Sequence, residues 1–251
     1  MALSKTALVE DLRTLGLRRG DAFLVHSSLK SLGHVSGGAD TVTDALLEVV
    51  GPEGTVLFPT LTGSVDDSPE HPPVLDVRRT PTWCGLIPDT AWRRPEAVRS
   101  LNLTHSVAAI GAQAEALTSG HEKAATPCGH GTPYVKLAGV GGYVLLLGVD
   151  HDRNTTFHSA EEIAEMPHVF QERPAKTTIT DVKGQPVEVT ARLHRWDVPR
   201  HFERMHQPLL GAGIAWEGKV GTAKVRLMRS EDLIAYLVDR LKNDSSALFP
   251  A

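Results

Sequence analysis

The chain has 251 residues, of which 41% are hydrophobic and 22% are charged. This composition is typical of a globular protein with a packed core and excludes disordered, collagen-like and coiled-coil classes. The formal net charge is −4, from 26 basic and 30 acidic residues, so the chain has no basic surplus for neutralising phosphates. We therefore expect no nucleic-acid partner.

The cysteine content and the first residues of the chain indicate the cellular compartment of the protein. Cys84 and Cys128 are too few for a disulfide framework. Lys5, Glu10 and Asp11 place charges where a signal peptide needs an apolar run. The longest apolar run, residues 143–149, is far shorter than the roughly 20 residues that cross a bilayer. The sequence thus predicts a cytoplasmic protein without a membrane segment.

The first part of the chain predicts a βαβ unit. Apolar spacing favours a helix over residues 5–15, between Ser4 as N-cap and Gly16 as its end. A strand at 22–25, an amphipathic helix at 39–50 and a strand at 55–58 follow. Because such units have parallel strands, we expect an α/β fold whose sheet is at least partly parallel.

The remaining elements are less regularly spaced. Residues 60–82 are rich in proline and acidic side chains, which predicts a long functional loop. Further elements are expected as a strand at 107–111, a helix at 113–117, a central strand at 143–149, a loop and helix within 154–166, a hairpin at 175–193 and a tail of helix, strand and helix ending at 233–241. We expect one domain over residues 1–251, with about 170–228 as a candidate subdomain.

Polar residues collect directly after the predicted central strand. Ligands in open α/β sheets bind beyond the carboxyl ends of strands. The residues placed there are Asp150, His151, Asp152, Asn154, Thr155, Thr156 and His158. They are candidate site residues by position alone.

His158 is the candidate base of this group. In the first turn of a helix the positive end of the dipole disfavours imidazolium, which keeps the ring neutral and able to accept a proton. Glu161 and Glu162 follow at helical spacing, so either carboxylate can orient the ring. The alternative is a surface histidine with ordinary acidic neighbours.

Residues 25–31, VHSSLKS, form a second polar segment after the first strand. Hydroxyl side chains and free backbone N–H groups before a helix make an anion pocket that suits phosphates or a pantetheine chain. The segment lacks the P-loop spacing, and Gly37–Ala39 lacks the Rossmann glycine pattern. A plain glycine-rich turn is the alternative.

The cysteines allow two other chemistries. Cys128 with His130 has the residue types of a nucleophile and its base, and Cys128 with His121 and Cys84 has those of a metal site. Neither set has the spacing that these chemistries favour. Cys84 is better explained by packing, and no metal is expected.

Four segments in order along the chain resemble the aminoglycoside 3-N-acetyltransferase family, which is distinct from the GCN5-related acetyltransferases. They are LVHSSLKSLGHVSGGADTVTDALLEVVGPEGTVLFPTLT (24–62), GLIPDTAWRRPEAVRSLNLTHSVAAIG (85–111), GHGTPYVKL (129–137) and GGYVLLLGVDHDRNTTFHSAEE (141–162). After about residue 170 the resemblance thins to a general pattern. The resemblance implies a three-layer α/β/α fold, and we expect a mostly parallel central sheet with a C-terminal hairpin subdomain.

The resemblance also implies a reaction. The family transfers acetyl from acetyl-CoA to the 3-amine of an aminoglycoside, without a metal or a covalent enzyme intermediate. His158 corresponds to the general base and Glu161 to its carboxylate. The matching coenzyme loops, with their polar neighbours, are His26, Ser27, Ser28, Leu29, Lys30, Ser31, Ser106, Val107, Gly131 and Thr132.

The chemistry of amine acylation fits these residues. An alkylammonium must lose a proton before it attacks, and His158 can accept it. Backbone N–H groups near Thr155, Thr156 or Thr132 are candidates for stabilising the oxyanion. A second acidic partner of the base is open among Glu162, Asp197 and Glu203.

Acidic residues suit a polycationic acceptor. Asp66, Asp67, Glu70, Asp150 and Asp152 would attract an aminoglycoside or related polyamine, although simple solubility also explains the loop. Alternative functions are acylation of a non-antibiotic amine, a Cys128 acyl-enzyme mechanism, or non-catalytic binding of coenzyme A or antibiotic. The expected assembly is a monomer or a homodimer.

Overall fold

The computed structural model describes residues 2–250. Its helices are α1 (Lys5–Leu15), α2 (Gly38–Val50), α3 (Leu86–Trp92), α4 (Ala114–Thr118), α5 (Pro133–Gly139), α6 (Thr156–Ile163), α7 (His206–Gly211) and α8 (Ser230–Asn243). Its strands are β1 (Ala22–Ser27), β2 (Thr55–Pro59), β3 (Leu75–Asp76), β4 (Val98–Arg99), β5 (Val107–Gly111), β6 (Tyr143–Leu147), β7 (Ala175–Thr180), β8 (Pro186–Ala191), β9 (Ala215–Val220) and β10 (Ala223–Arg229). Short 3-10 helices span Leu29–Leu32, His121–Lys123, His151–Arg153 and Phe202–Met205. Within residues 2–250, no helix combines the length and apolar character that a bilayer crossing requires.

Local signals in the first segment produce the predicted elements. The Ser4 side chain accepts a hydrogen bond from the N–H of Ala7 and caps α1, and Gly16 ends the helix with φ of 124°. The predicted β1–α2–β2 unit is confirmed, because β1 and β2 pair in parallel.

The main sheet has seven strands in the order β4–β5–β2–β1–β6–β10–β9. Within residues 2–250 the strand β1 pairs in parallel with β2 and with β6, and the other four neighbouring pairs of this sheet are antiparallel. The expectation of a mostly parallel sheet is therefore wrong. The tail also differs from the predicted order of helix, strand and helix, because it contains two strands, β9 and β10. Gly221 and Thr222 join them as a hairpin, so the two strands are antiparallel.

Helices cover both faces of the main sheet. In β1, Phe23 and Val25 pack with residues of α1 and α2, whereas Leu24 packs on the opposite face with residues of α4 and α5. The same alternation in β6 directs Val144 and Leu146 toward α6 and α8. Burial on both faces explains why these strands are continuous apolar runs.

A second, three-stranded sheet has the order β3–β7–β8. The predicted hairpin is confirmed, since β7 and β8 are antiparallel around residues 181–185. Residues 60–82 are not wholly irregular, because β3 pairs in parallel with β7 through Leu75 and Ile179. The strands β9 and β10 belong to the main sheet. The domain division, including the candidate subdomain over 170–228, stays a prediction.

Candidate active site

A cavity of about 700 Å³ opens where β1 and β6 end. The segment 26–30 at the end of β1 and the segment that follows β6 form two of its walls, and side chains from several other loops complete it. The lining residues are His26, Ser27, Ser28, Leu29, Lys30, Pro59, Leu61, Trp83, Cys84, Gly85, Leu86, His105, Val149, Asp152, Arg153, Asn154, Thr155, His158, Trp196 and Phe202. The cavity lies where the sequence predicts a ligand site.

Local hydrogen bonds shape the wall that follows β1. Ser28 caps the 3-10 helix Leu29–Leu32, and its Oγ accepts a 2.9 Å hydrogen bond from the Oγ of Ser31. Gly148, with φ of 75°, allows the chain after β6 to pass close to this helix, because an added Cβ there would lie 2.6 Å from Cβ of Ser31. Ser31 thus supports the wall, and it is not among the lining residues.

His158 and Glu161 lie one helical turn apart on α6. Nδ1 of His158 donates to Oε2 of Glu161 across 2.7 Å, and the His158 side chain is 20% exposed. Glu161 is fully buried and also accepts hydrogen bonds from Nε2 of His168 and Nε of Arg200. Burial alone would raise the pKa of Glu161, but the hydrogen bonds from both histidines and the Arg200 charge hold it well below its usual range. Glu161 is therefore a permanent carboxylate beside the ring.

The other candidate acids point elsewhere. Oε1 of Glu162 lies 2.6 Å from Nε2 of His194. Asp197 pairs with Arg195, and Glu203 pairs with Arg226 and accepts from the N–H of His151. Glu161 thus contacts the ring of His158, whereas the three acids left open as a second partner form other pairs.

The sequence did not single out a cluster of aromatic rings around His158. The ring centroid of His194 lies 4.7 Å from that of His158, and the centroid of His105 lies 6.1 Å away. Phe202 packs edge-on at 5.2 Å. His105 stands in the quoted segment 85–111, but nothing in its spacing connects it with residue 158. His194 and Phe202 are brought in by the chain after β8, where the family resemblance is weak.

The predicted acidic residues lie mostly outside the cavity. Asp67 accepts the N–H of Ser64, and Glu70 pairs with Arg173, while Asp66 is exposed on the same loop. Asp150 caps the 3-10 helix His151–Arg153. Asp152 is the one predicted substrate carboxylate that lines the cavity.

A second opening of about 720 Å³ adjoins this region and shares Trp196 with the first cavity. Glu172 and Asp197 line it. The expectation that the 60–82 loop supplies the cavity's carboxylates is therefore corrected. Acidic side chains near the cavity come from Asp152 and from the chain around 170–197.

Besides Ser31, four predicted coenzyme residues do not line the cavity. Ser106 is buried and hydrogen-bonds to Thr60, and Val107 is a core residue at the start of strand β5. Thr132 is buried with its Oγ1 on the carbonyl of Gly129, and Gly131 lies beside it on an exposed turn. Hydrogen bonding and core packing occupy Ser106, Val107 and Thr132, and Gly131 is exposed outside the cavity lining, which corrects the prediction that these residues form a cavity wall.

The cysteine alternatives have no supporting geometry. Cys128 is fully buried, and burial raises the pKa of its thiol well above the ordinary value, while His130 is exposed. Both ring nitrogens of His121 form hydrogen bonds, one with Oγ of Ser100 and one with the carbonyl of Pro127. Cys128, Glu162 and His194 do lie close together, with ligand atoms within 4.8 Å. However, the 2.6 Å contact between His194 and Glu162 is a hydrogen bond, shorter than the about 3.3 Å that separates two such ligands on zinc.

Comparison with known proteins gives the family. A sequence model described as aminoglycoside 3-N-acetyltransferase matches residues 24–242. The chain belongs to this family. Aminoglycoside N(3)-acetyltransferase IV of Salmonella sp is 34% identical over 240 residues, covering 96% of this chain and 88% of the relative. Aminoglycoside N(3)-acetyltransferase VII of Streptomyces paromomycinus is 33% identical over 264 residues, covering 93% and 90%.

Solved structures of the family have the same fold. A histidine-to-alanine variant of aminoglycoside acetyltransferase AAC(3)-IVa, in complex with a gentamicin, superposes with a TM-score of 0.83 at 31% identity, covering 100% of this chain and 93% of that one. AAC-IIIb in a binary complex with CoASH superposes with a TM-score of 0.83 at 27% identity, covering 100% of both chains. The predicted family assignment is confirmed.

Proposed function

We propose that this chain transfers the acetyl group of acetyl-CoA to the 3-amino group of an aminoglycoside, with His158 as general base. The observation that carries the proposal is the 2.7 Å contact between His158 and the buried Glu161, at the wall of a cavity that the 26–30 segment also lines. Relatives support the ligand classes, since AAC-IIIb binds CoASH and the AAC(3)-IVa variant binds a gentamicin.

The base works through its two ring nitrogens. A carboxylate only accepts hydrogen bonds, so the contact with Glu161 assigns the proton of the neutral ring to Nδ1. Nε2 is then the basic nitrogen and can take a proton from the acceptor ammonium, directly or through a water. When it does so, the ionised Glu161 stabilises the imidazolium.

Thr155 is the best placed of the three predicted oxyanion donors. The N–H of Thr156 donates to Oδ1 of Asn154, and the N–H of Thr132 donates to the carbonyl of Gly129. Thr155 lines the cavity at the start of α6, where backbone N–H groups and the helix dipole favour negative charge. It would donate to the thioester oxygen as the acceptor nitrogen attacks.

The 26–30 segment would hold the pantetheine arm. Within residues 2–250, Nε2 of His26 and Oγ of Ser27 are buried without a hydrogen-bond partner, and both residues line the cavity. Burial lowers the pKa of His26 to about 3, so its ring stays neutral and suits the amide groups of pantetheine. Lys30, exposed at the edge, suits a phosphate of the coenzyme.

The acceptor would approach from the side of Trp196. This side chain is shared by the main cavity and by the second opening, which contains Glu172 and Asp197. Together with Asp152, these carboxylates would attract a polycationic amine. The 3-amine could then reach His158 while the other ammonium groups stay near the acidic residues.

A panel of acceptors tests the proposal. Thiol release from acetyl-CoA is measured with aminoglycosides that have a free 3-amine, with matched compounds in which that amine is blocked, and with simple diamines. We expect thiol release only with the free 3-amine. Equal rates with the blocked compounds or the diamines would contradict the acceptor assignment. Ligand-dependent stabilisation without any thiol release would instead identify a binding protein.

A further inference from the structure

A second His–Glu pair lies directly beside the first. Glu162 follows Glu161 on α6, and its carboxylate contacts His194, which lies after β8. Both oxygens of Glu162 lie 3.0 Å from the N–H of Cys128, and Oε1 lies 2.6 Å from Nε2 of His194. The side chains of His194 and Glu162 are only 4% and 1% exposed. The pair is thus fixed and shielded from solvent.

The ring of His194 packs directly against the ring of His158. The two ring centroids are 4.7 Å apart with an angle of 51° between the ring planes. His105 packs against His194 at 4.6 Å and is itself held by Oγ1 of Thr104 at 2.7 Å from its Nδ1. His194 therefore has little freedom to turn, and its ring limits the orientations open to His158.

We propose that Glu162 and His194 are positioning residues for the base: His194 fixes the orientation of the His158 ring, and the Glu162 carboxylate favours the protonated ring. This inference rests on the proposed role of His158. It assigns a function to a buried carboxylate that the simple one-pair mechanism leaves unused.

The surrounding charges are consistent with this role. The titratable and charged groups facing the pair from α6, α5 and the adjoining loops are His158, Glu161, Cys128, Tyr134, His105 and Arg200. Burial raises the pKa of Glu162 to about 7. Burial and the charge of His158 hold the pKa of His194 well below its ordinary value. His194 therefore stays neutral and does not repel the imidazolium.

The charge of Glu162 affects how readily the His158 ring accepts a proton. As the pH rises through about 7, Glu162 loses its proton and adds a negative charge behind His194. That charge stabilises protonated His158 and so makes it a stronger base.

Glu162→Gln tests the electrostatic part. Glutamine keeps the shape and can still hydrogen-bond to His194 and Cys128, but it removes the charge. Glu165→Gln is the matched control, because Glu165 is exposed three residues further along the chain. In histidine-labelled protein followed by NMR, we expect the midpoint of the His158 ring titration to fall by about one pH unit in Glu162→Gln and to stay unchanged in the control. An unchanged midpoint in Glu162→Gln would overturn the charge effect.

His194→Gln tests the positioning part and covers the case in which Glu162→Gln does not fold. The amide can still reach Glu162, but the ring beside His158 is gone. We expect changed chemical shifts of the His158 ring protons and about tenfold lower kcat, with KM for acetyl-CoA within about twofold. Unchanged ring shifts, or a loss confined to KM, would overturn the inference.

The NMR and kinetic readouts separate the two proposals. The ring titration and ring shifts do not require turnover, so they decide the inference even if the wild-type protein acetylates nothing. An active wild-type enzyme whose His158 titration ignores Glu162 would overturn the inference alone.

Discussion

Glu161 accepts a 2.7 Å hydrogen bond from Nδ1 of His158 and, on its other oxygen, a 2.9 Å hydrogen bond from Nε of Arg200. The buried carboxylate thus balances a permanent cation on one side and holds the candidate base on the other. The proposed mechanism gives Glu161 a catalytic role in addition to this structural one, and kinetics and denaturation measure the two roles separately.

Glu161→Gln should impair both roles. Glutamine preserves the volume but cannot stabilise the imidazolium with a charge, so we expect kcat to fall about 100-fold or more. The loss of the ion pair with the partly buried Arg200 should also cost about 3 kcal/mol of unfolding free energy. Steady-state kinetics and urea denaturation measure the two effects, with exposed Glu188→Gln as the control. Wild-type kcat in a folded Glu161→Gln protein would contradict the account.

The two cysteines should differ in reactivity. Cys84 lines the cavity, whereas Cys128 is fully buried, and burial raises the pKa of both thiols. We expect iodoacetamide to alkylate Cys84 slowly, acetyl-CoA to protect it, and Cys128 to react only after denaturation. Peptide mass spectrometry identifies the modified residue. Preferential alkylation of native Cys128, or an acetyl adduct on it, would favour the acyl-enzyme alternative.

Gly148 should be intolerant of a side chain. Its φ of 75° strains an L residue, and an added Cβ would lie 2.6 Å from Cβ of Ser31. We expect Gly148→Ala to cost about 2 kcal/mol and to raise KM for acetyl-CoA more than KM for the acceptor, because the 29–32 helix is displaced. Gly139→Ala is the control, since an added Cβ there contacts nothing within 4 Å. Equal KM changes for both substrates would contradict the placement of the coenzyme.

Buried histidines should make the fold sensitive to acid. Burial lowers the pKa of His26 and His151 to about 3 and that of His121 to about 4, whereas unfolded histidine titrates near about 6.5. Between about pH 7.5 and 5.5 the unfolded chain binds protons that the folded histidines do not, so the unfolding free energy rises with pH. Glu162 acts in the opposite direction, because its raised pKa makes the folded chain bind a proton below about pH 7.

The net change in unfolding free energy depends on which of these opposing contributions is larger. Burial also holds the pKa of His105 and His194 well below its ordinary value, so these rings act in the same direction. The five histidines together lower the unfolding free energy by about 7 kcal/mol between these pH values, and Glu162 offsets about 2 kcal/mol. Urea denaturation should therefore show a net loss of about 5 kcal/mol at the lower pH. Equal or greater stability there would contradict the buried, neutral state of these rings.

Local patterns predicted the parts of the fold that depend on neighbours in sequence. Ser4 and Gly16 bound α1, and residues 181–185 turn the β7–β8 hairpin as expected. The antiparallel pairing of β5 with β2 was not predictable in this way, because it joins distant segments and leaves no periodic signal. The antiparallel pairing of β10 with β6 likewise joins segments that are far apart in sequence.

In the candidate site, too, only contacts between neighbours in sequence were predictable. Helical spacing predicted that Glu161 or Glu162 would contact His158, and the structure places Glu161 there. Arg200 and His194 lie more than 30 residues away along the chain, so their contacts with Glu161 and Glu162 required the structure. The acidic loop misled the prediction, because charge alone does not tell whether a side chain faces a cavity or, as Glu70 does, an arginine.

The central claim is that His158 removes the proton from the attacking amine. The most direct test compares thiol release from acetyl-CoA, with an aminoglycoside bearing a free 3-amine, for wild-type protein and a folded His158→Ala variant. The account predicts that kcat falls by at least about 100-fold while acetyl-CoA still binds. Thiol release by the variant at the wild-type rate would contradict it.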